Sequence, residues 1–232
     1  MQENVIITKA LTKRFGEKLA VNGVDMTVRR GDIYGFIGRN GAGKTTAMKM
    51  ILSLLTPTDG EVFLFGQKIT SESLRKVGSL IESPGIYGGA TAYENLKRMC
   101  ILTGADEKQI DTLLDFVGLS AFKNKKARTF SLGMKQRLGI AIALIGEPEI
   151  LILDEPINGL DPQGIKEVRD LIVRVNKEKN VTFLISSHLL SELEKIATVY
   201  GIIDKGVLLE EVSAEELEKR FAKNLHIVCD DY

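Results

Sequence analysis

Short apolar or alternating runs occupy the first third of the chain, at residues 5–7, 19–28 and 33–37. This spacing predicts β-strands, with Gly31 and Asp32 as a turn between the last two. From 44 to 55 the apolar spacing becomes helical, Thr56-Pro57-Thr58-Asp59-Gly60 breaks it, and 61–65 reads as strand again. The middle of the chain predicts helices at 93–103 and 107–116, separated by Gly104-Ala105-Asp106. A helix over 132–145 is followed by strand 150–153, helix 164–176, strand 181–186, helix 189–196 and strand 200–203. Such alternation favours a parallel sheet covered by helices, so the expected class is α/β with a mostly helical insert. A further strand-like run lies at 225–229.

Length and composition narrow the picture. With 232 residues, 44% of them hydrophobic, the chain buries a sizeable core and is expected to form one large domain. Lys plus Arg equals Asp plus Glu at 31 each, so no overall basic field exists to hold nucleic acid, and membrane association is expected only through another protein. The first nine residues do not read as a secretory signal, and the expected location is cytoplasmic. Apolar stretches such as 138–145 and 150–153 fall far short of the roughly 20 residues of a membrane-spanning helix. Cys100 and Cys229 are far apart and lack metal-ligand spacing, so both are expected to be inert.

Candidate chemistry begins after the strand at 33–37. Gly38-Arg39-Asn40-Gly41-Ala42-Gly43-Lys44-Thr45 satisfies the P-loop pattern and opens a helix, the context that this motif requires. Its glycines let backbone N–H groups turn toward phosphate oxygens, and the helix N-terminus adds a positive dipole end. Lys44 supplies a full charge to the β and γ phosphates, and Thr45 is the expected Mg²⁺ ligand. Nucleotide contacts are therefore expected from Gly38, Asn40, Gly41, Ala42, Gly43, Lys44, Thr45 and Thr46. The strand at 150–153 runs into Asp154 and Glu155. Beside a P-loop, Asp154 is expected to hold the metal, and Glu155 to orient and deprotonate the water that attacks the γ-phosphate.

Phe130-Ser131-Leu132-Gly133-Met134-Lys135-Gln136-Arg137 resembles the signature segment of the ABC ATPases, and the resemblance extends from about residue 15 to 211. Leu132 and Met134 depart from the usual Gly and Gln of that segment, while Ser131 and Gly133 stand at its γ-phosphate contacts. Ser131 is equally suited to cap a helix, and both readings hold together because an anion site at a helix N-terminus is what the signature provides. Asn158-Gly159-Leu160-Asp161 looks like the segment through which two subunits communicate at Asp161. Ser186-Ser187-His188 looks like the switch segment, with His188 touching the γ-phosphate and the catalytic carboxylate. Phe15 resembles the aromatic that stacks on adenine.

The resemblance implies a P-loop NTPase fold with a RecA-like core, an N-terminal antiparallel β part and an inserted helical lobe. One domain over 1–232 is expected, with core segments 1–81 and 149–211, a helical lobe at about 82–148 and a C-terminal extension at 212–232. It further implies ATP and Mg²⁺ as cofactors, a separate membrane permease as partner, a peripheral position on the inner face of the membrane, and an ATP-dependent head-to-tail dimer.

One departure is more specific. Most members of that family place a Gln at the strand-to-loop junction before the helical lobe, and here Glu82 stands in Ser79-Leu80-Ile81-Glu82-Ser83-Pro84-Gly85. An acceptor-only carboxylate beside an acidic pair would either bind the metal more firmly or carry a raised pKa, so Glu82 is expected among the catalytic and metal-binding residues, acting either on the metal or in coupling. The segment 80–87, followed by Thr91-Ala92-Tyr93-Glu94-Asn95-Leu96, is similar to ATPases of bacitracin-resistance and lantibiotic-immunity exporters, which implies peptide antibiotics as cargo. The rival class is a soluble ABC protein of translation or repair, which generally carries two ATPase units or a long coiled coil. This chain has one P-loop and no sustained heptads. A P-loop kinase is disfavoured by the signature, by Asp161 and by His188. The basic run Lys123, Lys125, Lys126 and Arg128 reads as a solvated face.

Overall fold

The computed structural model describes residues 3–222. The strand-like run expected at 225–229 lies outside them, as does Cys229. Among the described residues the strands form two sheets. An antiparallel sheet contains β1 (Asn4–Phe15), β2 (Lys18–Arg29), β4 (Asp59–Leu64) and β5 (Gln67–Lys68) in the order β2-β1-β4-β5. The second sheet contains β3 (Ile33–Ile37), β6 (Val77–Leu80), β7 (Ile150–Asp154), β8 (Thr182–Ser187), β9 (Val199–Asp204) and β10 (Val207–Ser213). Its order is β10-β9-β3-β8-β7-β6, parallel throughout except for the β9–β10 hairpin.

Helices α1 (Lys44–Ile51), α2 (Ser71–Arg75), α3 (Ala92–Thr103), α4 (Gln109–Phe116), α5 (Leu132–Ala143), α6 (Pro162–Lys179), α7 (Leu190–Leu193) and α8 (Ala214–Ala222) complete the fold. The architecture is the expected one: a parallel α/β core, an antiparallel N-terminal part and helices inserted between β6 and β7. Several boundaries differ from the sequence pattern: β1 runs through Asn4–Phe15 rather than 5–7, α5 ends at Ala143 rather than at 145, and α6 covers Pro162–Lys179 rather than 164–176. Helix α1 ends at Ile51 rather than at 55, because Ser53 adopts a left-handed conformation (φ 55°) and Leu54 N–H returns to Lys49 O at 2.8 Å, closing the last turn. Helix α7 stops at Leu193 rather than at 196. Elements β5, β6, α2, β10 and α8 are too short or too mixed in polarity to stand out by periodicity.

Every residue of β3, β7 and β8 is buried, and alternate side chains serve different cores. Tyr34, Phe36, Ile150, Ile152 and Leu184 pack with α1 and the antiparallel sheet. Ile33, Leu151, Leu153, Phe183 and Ile185 pack on the other face, in one cluster with Leu96 of α3, Leu113 of α4, Leu138 of α5 and Ile172 of α6. The inserted helices thus share a core with the sheet. Their N-termini are well defined: Thr91 and Glu94 form a reciprocal capping box on α3, and Ser131 and Asp161 accept backbone N–H bonds at the starts of α5 and α6.

Strand β6 approaches α5 so closely that a Cβ at Gly78 would stand 1.9 Å from Ala143 O and 2.6 Å from Leu151 Cδ2. Gly78→Ala is therefore expected to overpack this contact and to cost about 1–3 kcal/mol. Calorimetry should register a fall in Tm on the order of 5 °C; an unchanged Tm would contradict the close approach of β6 and α5.

Candidate functional site

Three neighbouring strands, β3, β8 and β7, end side by side, and the loops leaving their C-terminal ends carry the polar residues singled out from the sequence. Strand β3 delivers the chain to Gly38 and the phosphate-type loop. Gly38 N–H bonds Ser187 O at 3.2 Å, and Ala42 N–H bonds Arg39 O at 3.0 Å, so these two amides hold the loop itself in place. Gly43 caps α1 with φ 108°, and a Cβ there would meet Ala20 O at 2.5 Å, which excludes larger residues. Asn40, Gly41, Gly43, Lys44, Thr45 and Thr46 line one cleft of about 290 Å³ with Phe15, Lys18, Ala20 and Glu155.

Lys44 is buried, and its ammonium is matched from two sides, by Gly38 O at 2.6 Å and Glu155 Oε1 at 3.2 Å. Strand β7 brings Asp154 to the same place. Its Oδ2 accepts from Thr45 Oγ1 at 2.8 Å, and its Oδ1 accepts from Ser186 Oγ at 2.5 Å. Two of the three residues expected to bind Mg²⁺, Thr45 and Asp154, are therefore in direct contact, and their hard oxygen donors suit that ion.

Glu155 turns the chain out of β7 in a left-handed conformation, φ 48°, unusual for a residue with a side chain and costing on the order of 1–3 kcal/mol. Pro156, next in sequence, disfavours the right-handed helical alternative. Glu155 N–H donates to Ser186 Oγ at 2.9 Å, and Glu155 Oε2 lies 2.8 Å from His188 Nδ1. The turn that carries His188 is braced by Ser187, whose hydroxyl bonds Glu192, and by Leu189 N–H, which donates to Ser187 Oγ at 3.0 Å. Ligand atoms of Glu155, His188 and Glu192 also lie within 4.8 Å of one another, but the hydrogen bonds just described already account for their proximity.

Other residues singled out from the sequence sit elsewhere. Phe15 ends β1 at the rim of the cleft, half exposed, with Lys13 Nζ 5.3 Å from its ring centre. Ser131, Gly133 and Asp161 do not line the cleft. Ser131 Oγ accepts from Met134 N at 3.2 Å, Asp161 Oδ1 accepts from Gly164 N at 2.9 Å, and a Cβ on Gly133 would stand 3.8 Å from Gly164 Cα. The starts of α5 and α6 therefore form one separate patch. Glu82 does not line that cleft either, and its mostly exposed carboxylate pairs with Lys49 of α1 at 2.6 Å. Lys49 is the i+4 neighbour of Thr45 on α1, so this ion pair lies one helical turn from an expected metal ligand.

Ser186 is the residue whose part the sequence pattern did not reveal. The available signal was a hydroxyl, in a strand otherwise rich in apolar residues, placed opposite Asp154 by the register of β7 and β8. A cradle of backbone amides, a buried lysine and two successive carboxylates at adjoining strand ends define a P-loop ATPase.

Residues 21–158 match the ABC transporter family model. The chain is 52% identical to the bacitracin transport ATP-binding protein BcrA of Enterococcus faecalis over 228 residues, covering 96% of this chain and 74% of that protein. It is 44% identical to the lantibiotic transport ATP-binding protein SrtF of Streptococcus pyogenes, covering 91% of this chain and 93% of that one. An ATP-binding cassette solved as a post-hydrolysis dimer with ADP and Pi superposes with a TM-score of 0.79 at 25% identity, covering 90% and 98% of the two chains. The chain belongs to the ABC transporter family, as an ATP-binding subunit that hydrolyses ATP. A translation or repair role is not favoured beside these relatives.

The contact between His188 and Glu155 generates a test of the site. His188→Ala is expected to lower kcat by about tenfold or more while leaving nucleotide affinity within about twofold, as for an interaction made chiefly in the transition state. Steady-state ATPase assays with a separate nucleotide titration measure both, and unaltered turnover would remove His188 from the chemistry.

Proposed function

We propose that this subunit powers a separate membrane permease that exports, or confers immunity to, peptide antibiotics of the bacitracin or lantibiotic type. The observation that carries the chemical part is the juxtaposition of Lys44, Thr45, Asp154, Glu155 and His188 at three strand ends. ATP enters the cleft with its base against Phe15 and its phosphates against Asn40, Gly41, Gly43, Lys44, Thr45 and Thr46, in a loop that Gly38 and Ala42 hold in shape. Lys44, released from Glu155, then pairs with the β and γ phosphates. Thr45 and Asp154 hold Mg²⁺, which when bound neutralises phosphate charge and orients the nucleotide. Glu155 accepts the proton of the attacking water, and His188 holds that carboxylate in register.

The cargo reading is supported by the identity to bacitracin and lantibiotic transport proteins over more than nine-tenths of the chain. Among the described residues no helix is long and apolar enough to cross a membrane. The transport role of these relatives supports a position against the inner membrane face, through the permease. Two copies act head to tail, with Ser131, Gly133 and Asp161 of one facing the phosphate loop of the other. That arrangement is supported by the placement of these three residues on a patch outside their own cleft. ATP binding closes the dimer and hydrolysis reopens it.

Two experiments test this reading. Glu155→Gln retains nucleotide but no longer activates water, so saturating MgATP should convert it to a dimer in size-exclusion chromatography; monomer alone would count against the head-to-tail arrangement. Glu82 separates a metal role from a coupling role. Glu82→Gln should change MgATP affinity by less than about 1.4 kcal/mol, or tenfold, because the phosphate contacts lie elsewhere. In cells with the complex at parental levels, Glu82→Ala should reduce protection against the peptide more than it reduces the ATPase activity of the isolated subunit. Equal losses in the two assays would leave Glu82 with no part in coupling.

A further inference from the structure

We infer that Ser186 is a positioning residue for hydrolysis, a single buried hydroxyl that sets both the metal-facing carboxylate of Asp154 and the backbone of the catalytic Glu155. The inference rests on the functional reading above and adds to it a residue that touches neither nucleotide nor water.

Ser186 is fully buried, in the apolar strand segment Phe183-Leu184-Ile185, where a β-branched hydrocarbon would be the ordinary occupant. Parallel pairing puts it directly opposite Asp154. A serine hydroxyl has one proton to give, and here it goes to Asp154 Oδ1 at 2.5 Å; a lone pair accepts Glu155 N–H at 2.9 Å. Both partners are thereby satisfied by one atom.

The first bond fixes which oxygen of Asp154 faces the loop. With Oδ1 held by Ser186, Oδ2 is left for Thr45 Oγ1 at 2.8 Å, and the carboxylate cannot rotate without breaking a bond at each end. The second bond anchors Glu155 where its φ is 48° and the peptide must turn sharply out of β7. A hydrocarbon at 186 would leave a buried carboxylate oxygen and a backbone N–H without their partner, and each would seek water or another conformation. Misplacement of the Glu155 carboxylate by even about 1 Å is enough to slow a reaction that depends on orientation.

Because Thr and Val have nearly the same shape, the pair Ser186→Thr and Ser186→Val isolates the hydroxyl. Three quantities are compared in the intact chain: kcat for ATP, affinity for Mn²⁺ in the presence of ADP by electron paramagnetic resonance, and binding of a fluorescent ATP analogue in EDTA. The Val variant should show a kcat about tenfold or more below that of the Thr variant and a several-fold weaker Mn²⁺ affinity. Metal-free nucleotide binding should agree between them within about twofold, since the loop around Lys44 is untouched. Should the Val variant lack a thermal unfolding transition, Ser186→Ala takes its place under the same criteria. Equal kcat and equal Mn²⁺ affinity in the Thr and hydrocarbon variants overturn the inference. A parent chain without ATP turnover overturns the underlying functional reading as well, whereas an active parent with indistinguishable variants overturns this inference alone.

Discussion

Lys44 and Asp154 are both nearly removed from water, and a buried charge is tolerated only where partners replace the solvent it has lost. Lys44 obtains them from Gly38 O and Glu155, and Asp154 from Thr45 and Ser186. These partners come from β3, β7 and β8 and the loops that follow them, so the compensation exists only while the three strands lie adjacent and in register. A shift of one residue between β7 and β8 would place Asp154 opposite a different side chain and reverse which residues meet each core. The arrangement of the parallel sheet is thus tied to the partners of two buried charges at its end.

The same logic separates what one chain can assemble from what it cannot. The cleft collects one set of polar residues, while Ser131, Gly133 and Asp161 remain on the starts of α5 and α6 with their side chains or backbone engaged locally. In the proposed dimer each copy therefore contributes two incomplete halves. The Lys49–Glu82 ion pair adds a contact between α1, which starts at the phosphate loop, and the segment leading to the inserted helices. Surface ion pairs of this kind are weak and screened by salt, so this one adds little to stability.

Much of this was readable from residue order, and the unreadable part has physical causes. Gly38 to Thr45 after an apolar run, and Asp154-Glu155 at the end of another, are local patterns, because phosphate binding needs amides and a lysine on consecutive residues. The alternation that predicted a parallel sheet is likewise local. Sheet order is not: nothing in the runs at 150–153 and 181–186 says that they are neighbours, and so the hydroxyl of Ser186 could not be matched to Asp154. Glu82 was expected by analogy with a glutamine, and its ion pair with Lys49, 33 positions away, is another contact that residue order does not reveal. The early end of α1 depended on a left-handed Ser53, a conformation that serine seldom announces.

Strand β3 leads into the phosphate loop, yet both of its neighbours, β8 and β9, come from residues 182–204. During synthesis a ribosome emits the loop early, but the strand that supports it stays unpaired until most of the described chain has been made. Until then both edges of β3 are open to other strands, an apolar template of the kind that promotes aggregation. Pairing partners about 150 positions apart also close slowly, because a long loop must be ordered before the contacts that reward it. Cells that make this subunit therefore depend on completing the last quarter of the chain before its nucleotide loop has a structure to stand on.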